Sequence, residues 1–235
     1  MRGAIALIVV VAACASEEPA DDHRHGTRDH RSGAGVELPD EPTAEDLLAR
    51  VAGCDMVVGG PYADGSGQPA NRSMCGFPGA VVWTADMDID CDGKESEQCN
   101  LDTDPWFMNQ TAASDSMGDP LDSATLPFVV VPGKSTRFDY RMAGLAMGTV
   151  VAVIYDGKLE YGPLGDVGPT AYIGEASYRM AELLGIDPDP HYGGSDGPVT
   201  YIAFTGMEAK LETIEDHDEA VAVGIERAEA LLSAN

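Results

Sequence analysis

Two carboxylates stand close together in one short segment of this 235-residue chain: Asp166 and Glu175, within Tyr161–Gly185, YGPLGDVGPTAYIGEASYRMAELLG. A carboxylic acid that protonates a leaving oxygen, paired with a carboxylate that activates water or attacks the sugar, is the chemistry of glycosidic-bond cleavage. Carboxylates among glycine and proline also serve as solvated turn residues, and a glutamate at a helix start also suits the helix dipole. A second acidic group lies upstream, in Gly79–Asp90, GAVVWTADMDID. In an extended chain Asp86, Asp88 and Asp90 share one face, opposite Met87 and Ile89. With Asp92 just beyond, such a strand suits the lining of a cleft that takes a cationic ligand.

The elements that must position these groups are short. Thr149–Tyr155, TVVAVIY, reads as a buried strand, Asp156-Gly157 as a turn, and Lys158–Tyr161 as its hairpin partner. Gly162, Gly165, Gly168 and Pro169 predict irregular chain, which puts Asp166 on a loop. From Gly174 the apolar positions Ala176, Met180, Ala181 and Leu184 recur at helical spacing, placing Glu175 in the first turn of a helix that Gly185 and Pro188 stop. Further strands are expected at Leu126–Pro132 and Val199–Phe204, with an irregular loop at 187–198. A short helix follows Pro42, its Thr43-Ala44-Glu45-Asp46 resembling a capping box, and a longer one spans Glu215–Leu232. Residues 54–79 read as a long loop with Cys54 and Cys75 near its ends.

YGPLGDVGP followed by IGEAS resembles the active-site segment of the fungal-type endo-chitosanases, glycoside hydrolase family 75. The resemblance continues through MDIDCDG, Asp104-Pro105, Gln110-Thr111, Leu121, LPFVVVP and VAVIYDGKLEYG, in order, and covers about Val81 to Gly185. It implies endo-acting hydrolysis of β-1,4-linked glucosamine in chitosan, with inversion, Glu175 as acid and Asp166 as base. Asp86, Asp88, Asp90 and Asp92 would then attract the protonated amines. Tyr161 and Tyr172 are expected to border the sugar and, with Ile173, to give Glu175 the apolar surroundings that hold a carboxyl protonated. No cofactor and no metal are expected.

Composition narrows the partners. Against 14 Lys and Arg stand 40 Asp and Glu, a formal charge of -26. Such a surface repels nucleic acid. Residues 1–14 read as an export signal, and Val11-Ala12-Ala13-Cys14 resembles a lipobox whose Cys14 is lipidated; cleavage after Ala15 is the competing reading. The apolar run is too short to span a bilayer, so the membrane is met only through that anchor. Residues 15–40 read as a disordered tether, in which His23, His25 and His30 are solvated. One domain, 41–235, follows, and a monomer is expected.

The remaining cysteines, Cys54, Cys75, Cys91 and Cys99, suit two disulfides in an oxidising compartment. Three pairings are open, of which Cys54 with Cys75 and Cys91 with Cys99 is preferred. Asp88–Gly93 opens like a calcium loop, but Cys99 stands at the twelfth position where a bidentate Glu is needed. Gly133-Lys134-Ser135 is not a phosphate loop, because Phe128 replaces the first glycine, and Ser177 lacks a Gly-x-Ser-x-Gly frame. The expected fold is mainly β, a barrel or sandwich of six or so strands, double-psi-like as one option, with two or three peripheral helices. A non-catalytic polysaccharide-binding surface lipoprotein, a calcium-stabilised adhesion module and a hydrolase of another glycan are the alternatives.

Overall fold

The computed structural model describes residues 41–234. The export segment, Cys14 and the 15–40 tether lie outside the described residues. Eight strands are present in the order β1 Val57–Tyr62, β2 Arg72–Phe77, β3 Ala80–Asp90, β4 Val129–Pro132, β5 Val150–Tyr155, β6 Lys158–Gly168, β7 Glu175–Ser177 and β8 Ser195–Phe204. Neighbours run β3-β7-β4-β6-β5-β8, and β8 pairs back onto β3. Six strands therefore close a barrel, and the β1–β2 hairpin extends from β3 outside it. Most pairings are antiparallel; β3–β7 and β4–β6 are parallel.

Three helices flank the barrel among the described residues: α1 Ala44–Arg50, α2 Tyr178–Leu184 and α3 His217–Ser233. The expected capping box at Thr43 forms, its side chain accepting from the Asp46 N–H while Asp46 accepts from Thr43. Asp216 caps α3, its carboxylate accepting from the Glu219 N–H.

The unbroken apolar run in β5 has a simple cause: both its faces are buried. Val151 and Val153 point into the barrel with Trp83, Val129, Leu164 and Tyr201, whereas Val150, Ala152 and Ile154 face an outer core with α1 and α3. A strand covered on both faces has no polar side to alternate with.

Two expectations about regular structure are corrected. Residues 54–79 hold β1 and β2 rather than a long loop, with the hairpin closed by the Cys54–Cys75 disulfide; Cys91–Cys99 is the second. The preferred pairing is thus the one present. And β6 runs on through Gly162, Gly165 and Gly168. These glycines do not break the strand; they let other chain lie against it. A Cβ on Gly162 would sit 2.2 Å from the Pro127 carbonyl oxygen, and one on Gly165 2.7 Å from the Phe128 ring. Any larger residue at Gly162 or Gly165 would push the barrel wall apart.

Candidate active site

Asp166 and Glu175 both sit on strands, on either side of β4. Val130 of β4 pairs with Asp166, and the neighbouring Val129 pairs with Ala176, the residue after Glu175. Glu175 lies on β7, and α2 begins only at Tyr178, where Ser177 accepts from the Met180 N–H. The expectation of a loop aspartate and a helix-start glutamate is therefore replaced by two barrel positions. The helix dipole has no part in holding Glu175 ionised.

A cleft of about 550 Å³ opens over this part of the barrel, lined by Asp88, Asp90, Asp92, Asp104, Asp166 and Glu175 together with Trp106, Met108, Val130 and His191. None of the described side chains lining it is Lys or Arg. The acidic strand β3 delivers its carboxylates at different depths: Asp88 is exposed, Asp90 is 5% exposed, and β7 runs parallel beside them with Asp88 opposite Glu175. Four carboxyl groups of the floor are placed by backbone amides. Asp166 accepts from the Ala112 and Val167 N–H groups at 2.8 and 2.7 Å, Asp92 from Met108 at 2.6 Å, Asp90 from Asp92 at 2.8 Å and Asp104 from Trp106 at 2.8 Å.

Burial, with repulsion between neighbours at Glu175, Asp90 and Asp92, raises four of the cleft's acids above the usual carboxylate range. Glu175 is pushed up to about 7, by burial first and then by Asp88, Asp166, Asp92 and Asp104. Asp92 is raised to about 6, and Asp90, the deepest, well above its ordinary value, also chiefly by burial. Burial raises Asp166 as well, but its two backbone N–H donors act the other way and favour the carboxylate. Two acids in one cleft are thus given different surroundings, one stripped of partners and one supplied with them.

Three of the named residues do not reach the cleft. Asp86 lies behind it, packed under Gly174, where a Cβ would come within 2.1 Å of its Oδ1; burial and the nearby Asp88 and Asp64 raise it to about 8. Tyr161 is buried in the outer core against Gly224 of α3, because its position on β6 faces outward from the barrel. Tyr172 is half-buried on a segment that bridges to Ala63 and is not part of the lining. Conversely, Asp104 and Trp106 line the cleft although residue type and spacing did not mark them for it, and His191, expected on an exposed loop rather than at the border of the cleft, lines it too. The Asp104-Pro105 pair within the resemblance was the one available sign.

A calcium loop of the regular kind is not formed, since Cys99 is bonded to Cys91. The acids that converge instead are Asp90, Asp92 and Asp166, each with one ligand atom within 4.8 Å of the others. That trio could take a cation, an ammonium group or a shared proton.

Asp166, buried, and Glu175, half-buried, stand on rigid strands at the floor of an open acidic groove, an arrangement of the class that suits hydrolysis of glycosidic bonds. Comparison with known proteins makes the class particular. The model of the family described as fungal chitosanase of glycosyl hydrolase group 75 matches residues 87–226. An endo-chitosanase of Aspergillus oryzae is 32% identical over 197 residues, 72% of this chain and 80% of that protein. Endo-chitosanase B of the same species is 38% identical over 136 residues, 54% of this chain, and an endo-chitosanase of Aspergillus fumigatus is 31% identical over 173 residues. The matched region spans 57% of the length of endo-chitosanase B. The chain belongs to the glycosyl hydrolase group 75 family.

Proposed function

We propose that this protein cleaves internal β-1,4-linked glucosamine bonds of chitosan, with Glu175 as general acid and Asp166 as general base. The carrying observation is the pair itself: two carboxyls on strands flanking β4, opening into one acidic cleft. Glu175, held up at about 7, keeps its proton in mildly acidic water and can give it to the glycosidic oxygen as the bond to the anomeric carbon breaks. A water attacks that carbon from the opposite face and passes its proton to Asp166, whose carboxylate two backbone N–H groups favour.

Inversion needs room for that water, about 6.5–9.5 Å between carboxyls. Asp166 and Glu175 reach into the cleft from strands on either side of β4, whose backbones stand two strand spacings of about 4.8 Å apart. Asp88, exposed at the cleft wall, and Asp92 support preference toward an amine-bearing polymer, since an acetylated sugar offers no charge to them. The relatives' printed names, endo-chitosanase, support the substrate. Export through residues 1–14, supported by the two disulfides, and anchoring at Cys14, which rests on the sequence of residues 11–14 alone, belong to the same proposal. Among the described residues no helix is long and apolar enough to cross a membrane.

The test is release of reducing ends from highly deacetylated chitosan by the wild type and by Asp166→Asn and Glu175→Gln, with folding checked by circular dichroism. Each substitution should lower kcat by about 10²–10⁴-fold. Proton NMR of the first products should show the α-anomer. Full activity in either variant would remove that residue from the mechanism.

A further inference from the structure

The two tryptophans of the chain have opposite surroundings. Trp83 on β3 is buried and stacks on Tyr201, ring centroids 5.2 Å apart. Trp106 is 74% exposed, although its backbone is held firmly. Its N–H donates to the buried Asp104, whose own N–H donates to the Asn100 carbonyl, and the Asn100 side chain ties the turn to Ser96. The Cys91–Cys99 disulfide pins the same loop to the end of β3. A large ring kept in water on a fixed backbone contributes little to folding. Exposed aromatic surface of this kind at a cleft marks a contact for a ligand with an apolar face.

Trp106 is not isolated. Its ring lies 6.0 Å from that of His191, which meets Tyr192 edge-on at 4.2 Å. His191 and Tyr192 are on the loop before β8, and both their N–H groups donate to Asp189, at 2.9 and 2.8 Å. Two loops distant in sequence thus bring three rings into one row. The row begins at the cleft of Asp166 and Glu175 and leads into a second hollow of about 780 Å³, which Asp102, Asp187 and Asp189 line.

We propose that Trp106 is a sugar-stacking platform at the edge of the catalytic cleft, continued by His191 and Tyr192, and that the hollow beyond is a further glucosamine subsite. This rests on the substrate reading above. The axial C–H groups of a β-linked glucosamine ring form an apolar face that an indole covers well. The amine of the next sugar then falls among carboxylates of the second hollow. A polymer spanning both hollows gains contacts that a short oligomer lacks, so the platform acts on binding and chain-length preference rather than on the bond-breaking step.

Tryptophan fluorescence tests this directly, because Trp83 supplies a buried and constant background. Titrating glucosamine hexamer into the Glu175→Gln protein should shift the emission to shorter wavelength and change its intensity. Adding Trp106→Ala to that protein should abolish the response and weaken calorimetrically measured hexamer binding roughly tenfold. Trp106→Phe should restore most of the affinity. In the active enzyme Trp106→Ala should raise KM for chitosan about tenfold while leaving kcat within about threefold, with an unchanged melting temperature. Hexamer binding without a fluorescence response, or undiminished binding by Trp106→Ala, would overturn the platform while leaving the chitosanase reading intact. A wild type that neither binds nor cleaves hexamer or polymer would overturn both.

Discussion

At the scale of single residues, the proposed roles of Asp166 and Glu175 rest on what surrounds each carboxyl. Glu175 has acidic neighbours and burial, which oppose its charge; Asp166 has two backbone donors, which favour it. The expected kcat/KM profile is a bell. Its alkaline limb follows loss of the Glu175 proton near pH 7, and its acidic limb follows protonation of Asp166, itself raised above the ordinary aspartate value. Asp88 is the largest charged contributor to the height of Glu175. Asp88→Asn removes a negative charge, makes ionisation of Glu175 easier, and so should move the alkaline limb to lower pH. A limb that stays in place would show that another group sets it.

At the scale of elements, the site depends on how closely β6 and β7 approach. Gly168 ends β6, and a Cβ there would come within 2.8 Å of Glu175 Oε2 and 3.0 Å of Val130 Cγ1. The Glu175 carboxyl is the movable partner, so Gly168→Ala should displace it with little disturbance of the barrel. Misplacing a catalytic group by about 1 Å costs on the order of 10²-fold in rate. Gly168→Ala is therefore expected to lose about that much kcat while its urea midpoint changes little. An unimpaired rate would mean that the acid is not set by this contact. The same strand shows how a glycine-rich sequence misleads. Gly162 and Gly165 look like breakers until Pro127 and Phe128 are seen lying where their side chains would be.

At the scale of the whole molecule, a chain of formal charge -26 concentrates several carboxyls in one desolvated region. Those of Asp86, Asp92 and Glu175 are raised to about 8, 6 and 7, and Asp90 also upward. The folded protein then holds more protons than the unfolded chain at intermediate pH. The stability these groups contribute is complete below their unfolded values and is lost as pH rises through the folded ones. The shifts in the opposite direction at Asp46, Asp139 and Asp189 belong to surface carboxyls, two of them exposed and Asp139 half-buried beside Lys134, and weigh less. The melting temperature should fall by roughly 5 °C or more between pH 5 and pH 8. A flat profile, measured by circular dichroism melts, would show that water reaches these acids freely.

Periodicity, capping residues and the ordered motifs of the resemblance were enough to place most of the strands, α1 and α3, and the family, and to single out Asp166 and Glu175 as candidates. These features are local: an alternation in β3, a buried run in β5, a Thr43 cap and an unbroken motif around Asp166 each leave their mark in consecutive residues. Which carboxylates share the cleft was decided only by closure of the barrel. The register of β3 on β7 sets Asp88 beside Glu175, while the packing of Gly174 hides Asp86. The outward face of β6 takes Tyr161 away to α3, and the loops of Trp106 and His191 meet across 84 intervening positions of sequence. Contacts of that range depend on how strands pair and which faces they bury, and no spacing along the chain records them.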